Sequence, residues 1–250
     1  MLLDISLEEA QKLLLQNLTP PATEKVSILG AGGRILAENL VAGENLPAWS
    51  SGARDGYVLH AKDLDGHRKL SIVDTLAVAQ LPHALNSGET VEVRTGEAIP
   101  EGSVALIPHE EVEIGETEIY LGKAVRSGEF IRQAGEDFKA GELYAPEGSN
   151  LSPGLISVLA AQGRSEVQVY SSPRVAVLSL GEQLVSWKET PNPGCLRDSN
   201  GPLITALARR DGAQIVAPKV AGNKGRAELV TYMRDIIEEA DLLITIGGTY

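Results

Sequence analysis

The segment RVAVLSL at Arg174–Leu180 decides the fold of the C-terminal part of the chain, because its β-branched and aliphatic residues are typical of a buried strand. A helical pattern follows at 200–210, then a strand-like run AQIVAPKV at 213–220, a second helical pattern at 226–239 and a strand-like run DLLITI at 241–246. Strands that alternate with helices in this way are typical of a parallel α/β sheet. We therefore expect such a sheet, with its ligand-binding edge at the carboxyl ends of the strands.

The preceding part of the chain predicts a β-rich module. Short strand-like runs, separated by Gly, Pro, Asn or Ser clusters at close intervals, occupy residues 59–151. This rhythm is typical of compact β structure. The runs are KLSIVDTL (69–76), ETVEVRTG (89–96), SVALIPHEEVEI (103–114) and EIYLGKAV (118–125).

Two helices outside the predicted sheet have local start and stop signals. Ser6 and Glu9 have the spacing of a capping box and begin an amphipathic helix. Its apolar face packs either on the body of the protein or on a second subunit, and the sequence leaves both open. Ser152 is a predicted N-cap before Pro153, and Gly163 follows the end of that helix.

These patterns predict three parts and one fold class. We expect an elongated N-terminal and linking domain at residues 1–45 and 140–173, a β-rich domain at 46–139 and an incomplete α/β domain at 174–250. The predicted fold class is thus α/β plus β-rich: an elongated N-terminal arm, a β-rich module and an incomplete three-layer α/β domain with a parallel sheet.

The composition excludes several partners. The formal net charge is -12, from 34 acidic and 22 basic side chains, and no stripe of Lys or Arg could follow a phosphate backbone, so we expect no nucleic acid. The single cysteine, Cys195, allows no internal disulfide and favours a cytoplasmic location. No signal peptide and no apolar stretch of about 20 residues is present, so we expect no membrane association.

Seven segments resemble, in order and spacing, the motifs of one known family. The most specific is LPAWSSGARDGYVL (46–59), which is similar to the Leu-Pro and Ser-Ala-Met-Asp-Gly-Tyr-Ala signature of molybdopterin molybdenumtransferase, the molybdenum-insertion enzyme family that includes the C-terminal domain of gephyrin. The others are SLEEAQKLLLQ (6–16), VRTGEAIPEGSVALIPHEEVE (93–113), IRQAGEDFKAGE (131–142), RVAVLSLGEQL (174–184), RDSNGPLITALARRDGA (197–213) and ADLLITIGG (240–248). The family continues into a C-terminal β-barrel domain, so the resemblance implies a C-terminally truncated member with a molybdopterin-binding type of α/β domain.

The resemblance also implies a reaction. Family members insert molybdate into adenylylated molybdopterin and release AMP, with a divalent cation such as Mg²⁺. The resemblance further implies a homodimer with a site shared between chains, and molybdopterin adenylyltransferase as a possible partner. Hydroxyl and carboxylate groups suit this chemistry, because oxygen ligands hold hard cations and hydroxyls donate to oxyanions.

Three predicted catalytic residues follow from the resemblance: Asp55, Thr95 and Glu182. Asp55 and Thr95 match family active-site positions, so Asp55 is expected to handle metal or molybdate and Thr95 to donate to an oxyanion. The simpler alternative remains open, because an Asp before Gly is often only a turn residue and Thr-Gly only a loop.

A second group is predicted at the carboxyl edge of the α/β sheet. The loop of roughly 17 residues after the first strand far exceeds the 2 to 6 usual between strand and helix, which favours a binding role. The predicted substrate-binding residues are Ser179, Gly181, Gln183, Asp198, Asn200, Gly247 and Gly248, with Asp198 joining Asp55 as a metal ligand.

Other charged residues have simpler interpretations. Asp241 begins the third strand and is expected to be structural, at the opposite edge of the sheet. Arg132, Glu136 and Asp137 could either position a phosphate or form a solvated charged turn.

The chain departs from the family pattern at two places. Arg54 replaces the family's Met, and Leu180, Gly181, Glu182 and Gln183 stand where the family has Thr-Gly-Asp-Glu. An amide at Gln183 cannot act as a general base or supply charge to a cation, although Glu182 could compensate. The alternative function is therefore a catalytically impaired homologue that binds molybdopterin or a cofactor-assembly partner without turnover.

Overall fold

The computed structural model describes residues 5–75, 84–222 and 224–247. Within these ranges it has four α-helices, α1 Leu7–Gln16, α2 Pro153–Ala161, α3 Asn200–Arg210 and α4 Arg226–Glu239. The strands are β1 Thr23–Ser27, β2 Leu40–Val41, β3 Ser51–Gly52, β4 Gly56–His60, β5 Arg68–Thr75, β6 Glu89–Val93, β7 Ser103–Pro108, β8 Glu113–Ile114, β9 Glu118–Leu121, β10 Ile131–Arg132, β11 Leu143–Ala145, β12 Glu166–Tyr170, β13 Arg174–Leu180, β14 Leu184–Val185, β15 Leu196–Arg197, β16 Gln214–Gly222 and β17 Leu242–Gly247. This strand-rich mixture confirms the predicted fold class.

The chain forms two compact units. The first, here called the α/β unit, comprises Met1–Glu38, Glu147–Ala160 and Arg164–Tyr250. The second, here called the β-rich unit, comprises Asn39–Pro146 and Ala161–Gly163. The three-part division expected from the sequence stays a prediction.

The β-rich unit is built on a six-stranded sheet in the order β7-β4-β6-β5-β9-β8. Each of the four predicted strand-like runs contains a strand of this sheet. Its pairs are antiparallel except β5 with β6, which are parallel. Two apolar clusters form its core, and their fully buried large side chains are Leu59, Leu70, Leu106, Ile107, Ile119 and Leu121.

One glycine fixes where three strands of this sheet meet. Gly56 begins β4 and pairs with Val93 at the end of β6 and with Pro108 at the end of β7. A β-carbon built on Gly56 would lie 2.2 Å from the carbonyl oxygen of Ile107, which no real side chain tolerates. The residues just outside these paired positions therefore gather at one end of the sheet.

The α/β unit contains a parallel sheet in the order β16-β13-β17, as the sequence predicts. Leu178 on β13 packs in a cluster with Ile236 of α4. The next residue, Ser179, lies beside Gly201 of α3, where a β-carbon would come 3.0 Å from its Oγ. Successive residues of a strand face opposite sides, so α3 and α4 cover the two faces of this sheet.

Asp241 has the structural role expected of it. Its carboxylate accepts hydrogen bonds from the backbone N–H of Arg174 at 2.7 Å and from the guanidinium of the same residue at 2.8 Å. Both residues stand at the amino ends of parallel strands, so this ion pair lies at the edge opposite the predicted ligand-binding edge. The guanidinium first, and the backbone N–H after it, hold the pKa of Asp241 below its usual value.

The N-terminal helix has an uncovered apolar face. The capping box of Ser6 and Glu9 is present, with hydrogen bonds of 3.1 and 2.9 Å. Helix α1 nevertheless buries no residue, and Leu7 and Leu15 are 69% and 70% exposed. In the part of the chain that the structure describes, no residue of this helix is buried, and packing on a second subunit stays a prediction. No helix in the described ranges is long and apolar enough to cross a bilayer.

A buried carboxylate ties together a corner of the β-rich unit. Asp63 is fully buried and accepts hydrogen bonds from Arg68 at 2.6 Å, from the hydroxyl of Ser87 at 2.9 Å and from the backbone N–H of Gly88 at 2.9 Å. Burial alone raises the pKa of Asp63, but these donors outweigh it and hold the pKa below its usual value. The ionised form is therefore stabilised by folding.

We expect Asp63→Asn to lower the free energy of unfolding at neutral pH by about 2–3 kcal/mol, because three donors lose a charged acceptor. The pKa of Asp63 is depressed relative to about 3.9 in the unfolded chain, so this stabilisation is complete at neutral pH and is lost as the pH falls below about 4. Urea denaturation between pH 3 and 7 measures both effects, with pH values chosen to span that transition.

Asp65→Asn is the matched control. Asp65 also pairs with Arg68, at 2.8 Å, but its side chain is 70% exposed, so its removal should cost less than about 1 kcal/mol. Equal decreases in the free energy of unfolding of Asp63→Asn and Asp65→Asn would contradict the role assigned to Asp63.

Candidate functional site

The first group of predicted site residues is an Asp–Thr pair at the end of the β-rich sheet. Asp55 immediately precedes β4, and Thr95 lies two residues after β6. The Oδ1 atom of Asp55 accepts a hydrogen bond from the backbone N–H of Thr95 at 2.7 Å and one from its hydroxyl at 2.8 Å. The hydroxyl of Thr95 therefore donates to Asp55 in this structure, and its catalytic role stays a prediction.

The surroundings of this pair favour an ionised carboxylate. The backbone N–H of Thr95 first, and its hydroxyl second, hold the pKa of Asp55 below its usual value, with smaller contributions from the charges of His109 and Arg94. The ring of His109 packs edge-on against Tyr57, with centroids 5.0 Å apart. Its Nε2 is 3.2 Å from a carboxylate oxygen of Glu92 but is not aligned for a hydrogen bond.

Arg54, which departs from the family pattern, is held next to this pair by its own contacts. Its guanidinium carbon lies 5.0 Å from the centre of the Phe130 ring, within cation–π range. One of its nitrogens is 3.6 Å from a carboxylate oxygen of Glu110. The aromatic ring and the carboxylate thus account for an arginine at this position.

The charged segment around Arg132 forms a self-paired turn. Its Nε donates to Glu136 at 2.5 Å, and its Nη2 donates to Asp137 at 2.9 Å. Two carboxylates therefore surround one guanidinium, and they hold the pKa of Arg132 above its usual value. Of the two interpretations left open by the sequence, this geometry favours the charged turn over a phosphate site.

The second group of predicted site residues lies at the carboxyl end of β13. Ser179 donates from its hydroxyl to Oδ2 of Asp198 at 2.8 Å, and both side chains are buried. Oδ1 of Asp198 accepts a hydrogen bond from the backbone N–H of Gly201 at 2.9 Å and so caps the first turn of α3. Because both oxygens have partners inside the unit, the geometry favours a cap, and the metal role of Asp198 stays a prediction.

The remaining residues of this group lie around the same strand ends. A turn begins at Gly181, whose carbonyl oxygen accepts a hydrogen bond from the backbone N–H of Leu184 at 3.0 Å. The two residues inside this turn, Glu182 and Gln183, are exposed. Asn200 is exposed at the start of α3.

Gly247 ends β17 in a conformation that requires glycine. Its φ is 86°, and a β-carbon would lie 2.5 Å from the carbonyl oxygen of Leu180. Two adjacent parallel strands therefore come close together at the carboxyl edge. Gly248, the next predicted site residue, is outside the described residues.

An open cavity of about 410 Å³ lies beside these strand ends in the α/β unit. Val220 in its wall pairs with Ser179 across the sheet, whereas the side chains of Ser179 and Asp198 do not line the cavity. The indole of Trp187 is 38% exposed, and the Nζ of Lys188 lies 5.8 Å from its centre. The lining includes Leu184, Val185, Trp187, Lys188, Pro218 and Val220.

The described residues contain no preformed metal cage. Within 5–75, 84–222 and 224–247, no group of three or more His, Cys, Asp or Glu side chains is placed to hold a metal ion. Asp55 nevertheless offers one carboxylate oxygen, Oδ2, that accepts no hydrogen bond from these residues. Mg²⁺ commonly takes one or two protein carboxylates and completes its shell with water and substrate phosphates, so Asp55 fits that cation.

The structure thus brings together Asp55 with Thr95 in one unit, and Ser179 with Asp198 in the other. Sequence reasoning missed Gly201, whose β-carbon would lie 2.2 Å from Asp198 Oδ2. The sequence did contain a signal for it, namely a glycine inside the first turn of a predicted helix. Such a glycine lowers helix stability, so its presence indicates a close contact that excludes a side chain.

The fold resembles that of solved proteins named for molybdopterin biosynthesis. The chain superimposes on a crystal structure of the molybdopterin biosynthesis MoeA protein from Pyrococcus horikoshii with a TM-score of 0.84 and 27% identity, covering 96% of this chain and 65% of that one. A second crystal structure of that protein gives a TM-score of 0.76 at 26% identity, over 96% and 63% of the two chains.

The chain belongs to the family described as the MoeA N-terminal region (domain I and II), whose model matches residues 5–163. Curated relatives include the molybdopterin molybdenumtransferases of Staphylococcus epidermidis, 29% identical over 98% of this chain, and of Nostoc, 29% identical over 90%. The chain spans 59% and 53% of the lengths of these two relatives.

We expect Thr95→Val to raise the pKa of Asp55, because the variant loses the hydroxyl donor and keeps the backbone N–H. The pKa should stay below that of an unfolded Asp, since the remaining bond still favours the carboxylate. Carbon-detected NMR titration of the Asp55 carboxyl group measures this change. Thr95→Ser keeps the hydroxyl and should leave the pKa low, and an unchanged pKa in Thr95→Val would show that the hydroxyl does not donate in solution.

We expect Gly201→Ala to lower the free energy of unfolding by about 1–3 kcal/mol, because its methyl group overlaps the carboxylate of Asp198. Gly154→Ala is a matched control at the second position of α2, where the nearest atom to a new methyl group is 3.8 Å away. That control should be neutral or stabilising by up to about 1 kcal/mol. The urea midpoints of unfolding of Gly201→Ala and Gly154→Ala measure this difference. Equal midpoints would argue against the close contact between Gly201 and Asp198.

Proposed function

We propose that this chain acts in molybdenum cofactor biosynthesis as a molybdopterin molybdenumtransferase, which inserts molybdate into adenylylated molybdopterin and releases AMP. The observation that carries this proposal is the Asp55–Thr95 pair, because it provides an oriented, ionised carboxylate within the part of the chain that matches the MoeA family model. The name shared by the curated relatives supports the same reaction.

In this proposal Asp55 is the residue that handles charge. Thr95 fixes Oδ1 with two hydrogen bonds, which leaves Oδ2 available to a ligand. Asp55 would hold Mg²⁺ through Oδ2, and the bound cation would offset the negative charge of the substrate phosphates. Thr95 acts through Asp55 and is a positioning residue in this scheme.

We assign the cavity of the α/β unit to the heterocyclic part of the substrate. A volume of about 410 Å³ is within the range of small-molecule sites, and the Trp187 indole offers a flat apolar wall. Lys188 adds a positive charge for a phosphorylated ligand. Asp198 and Ser179 support this edge of the sheet by anchoring the first turn of α3.

The proposal includes a homodimer and a cytoplasmic location. The uncovered leucines of α1 support a second copy as the surface that buries them. Molybdopterin adenylyltransferase is the proposed partner that supplies the adenylylated substrate.

A second candidate is a catalytically impaired homologue that binds molybdopterin or an assembly partner without turnover. Gln183 favours it, because an exposed amide stands where the family has an acid. Glu182, the adjacent residue of the same turn, is the carboxylate that could compensate.

The two candidates are separated by supplying the purified 250-residue chain with adenylylated molybdopterin, Mg²⁺ and molybdate, and measuring AMP by liquid chromatography. The first candidate predicts AMP release that falls at least about 100-fold in Asp55→Asn and is unchanged in Asp65→Asn. Binding without release, with release gained in Gln183→Glu, would establish the second. Neither binding nor release, in the original chain and in Gln183→Glu, would refute both.

A further inference from the structure

Three side chains gather at one end of the β-rich sheet. Asp55 is one residue before Gly56, Arg94 is one residue after Val93, and His109 is one residue after Pro108. Gly56 pairs with both Val93 and Pro108, so the three residues flank the same end of β7, β4 and β6, with Asp55 on the central strand.

Arg94 differs from most arginines of this unit. Arg54, Arg68 and Arg132 each have a carboxylate oxygen within 4 Å, at 3.6, 2.6 and 2.5 Å. The guanidinium of Arg94 has no such partner among the described residues, and only its backbone N–H bonds, to Glu97 at 2.8 Å. The backbone N–H of Glu97 donates a hydrogen bond to the carbonyl oxygen of Arg94 at 3.0 Å. This bond closes a turn and fixes the backbone from which the Arg94 side chain projects.

His109 is less suited to ligand binding than Arg94. Its ring packs on Tyr57, and its Nε2 lies beside Glu92. These contacts make it part of the wall around Asp55. Arg94 is therefore the cationic side chain at this strand end that keeps its hydrogen-bond donors available.

We propose that Arg94 is a substrate-binding residue that holds a tetrahedral oxyanion beside Asp55. The oxyanion is either a phosphate group of the substrate or molybdate, which present the same acceptor geometry to a guanidinium fork. The positive charge of Arg94 offsets the repulsion that Asp55 alone would exert on such an anion. This inference rests on the proposed function and adds to it a residue that contacts the anion directly.

Arg126 provides a closely matched control. It too is exposed, begins an Arg-x-x-Glu turn, and bonds through its backbone N–H to the third residue on, Glu129, at 3.1 Å. Its guanidinium likewise has no carboxylate partner among the described residues. It differs in its position on the segment that follows β9, and its charge, unlike that of Arg94, is not among those that lower the pKa of Asp55.

The test is isothermal titration of the full chain, with Mg²⁺ present, using molybdate, inorganic phosphate and AMP as separate probes. We expect Arg94→Gln to weaken binding by about tenfold, as for one lost charge-assisted hydrogen bond, and Arg126→Gln to leave it unchanged. Arg94→Lys should recover part of the loss. A loss confined to molybdate identifies the metal oxyanion as the ligand, and a loss confined to phosphate and AMP identifies the phosphate group.

Equal affinities of Arg94→Gln, Arg126→Gln and the original chain for all three probes would overturn the assignment. If AMP release still depends on Asp55 in that case, the proposed function survives and only the role of Arg94 is lost. If the original chain binds none of the probes and releases no AMP, both fail together.

Discussion

The candidate site of the β-rich unit depends on the contact between two backbones at Gly56. Because this residue has no β-carbon, the carbonyl of Ile107 on β7 can approach the first residue of β4 more closely than a side chain would permit. The register that results aligns the ends of β4, β6 and β7. Asp55 is thereby placed next to Thr95, although 39 residues separate the two along the chain. A β-carbon at position 56 would force these two backbones apart.

Three aspartates of the chain are held in the same way. Each accepts one hydrogen bond from a backbone N–H and one from a hydroxyl: Asp55 from Thr95, Asp63 from Gly88 and Ser87, and Asp198 from Gly201 and Ser179. Their exposure differs, because Asp63 and Asp198 are buried whereas Asp55 is on the surface. The buried two stabilise a corner and a helix start, so the pattern of donors alone does not mark a ligand site. Access from solvent distinguishes Asp55.

The features that the sequence predicts correctly are the local ones. The capping box of Ser6 and Glu9 spans three residues, and the Ser152 cap and Gly163 stop follow the same short-range rules. The alternation of strands and helices likewise predicts the parallel sheet. Such signals are readable because the interacting groups are near one another in the chain.

The features that the sequence does not reveal depend on contacts between distant segments. Asp63 resembles an ordinary loop residue until Ser87 and Gly88 are brought to it. The parallel pairing of β5 with β6 within a largely antiparallel sheet has no local signature. The hydroxyl of Thr95 appears free in the sequence, and only the fold shows that Asp55 uses it. Predicting such pairs requires the register of the strands, which residue types alone do not specify.

The cavity that Trp187 lines has a further consequence for how this chain can be observed. The sequence contains two tryptophans, and Trp49, which is 55% exposed, belongs to the β-rich unit, whereas Trp187 belongs to the α/β unit. Each unit therefore carries its own intrinsic fluorophore. Replacing either indole by phenylalanine would leave an emission signal from a single unit, so the cooperativity of unfolding between the two can be resolved without any added label.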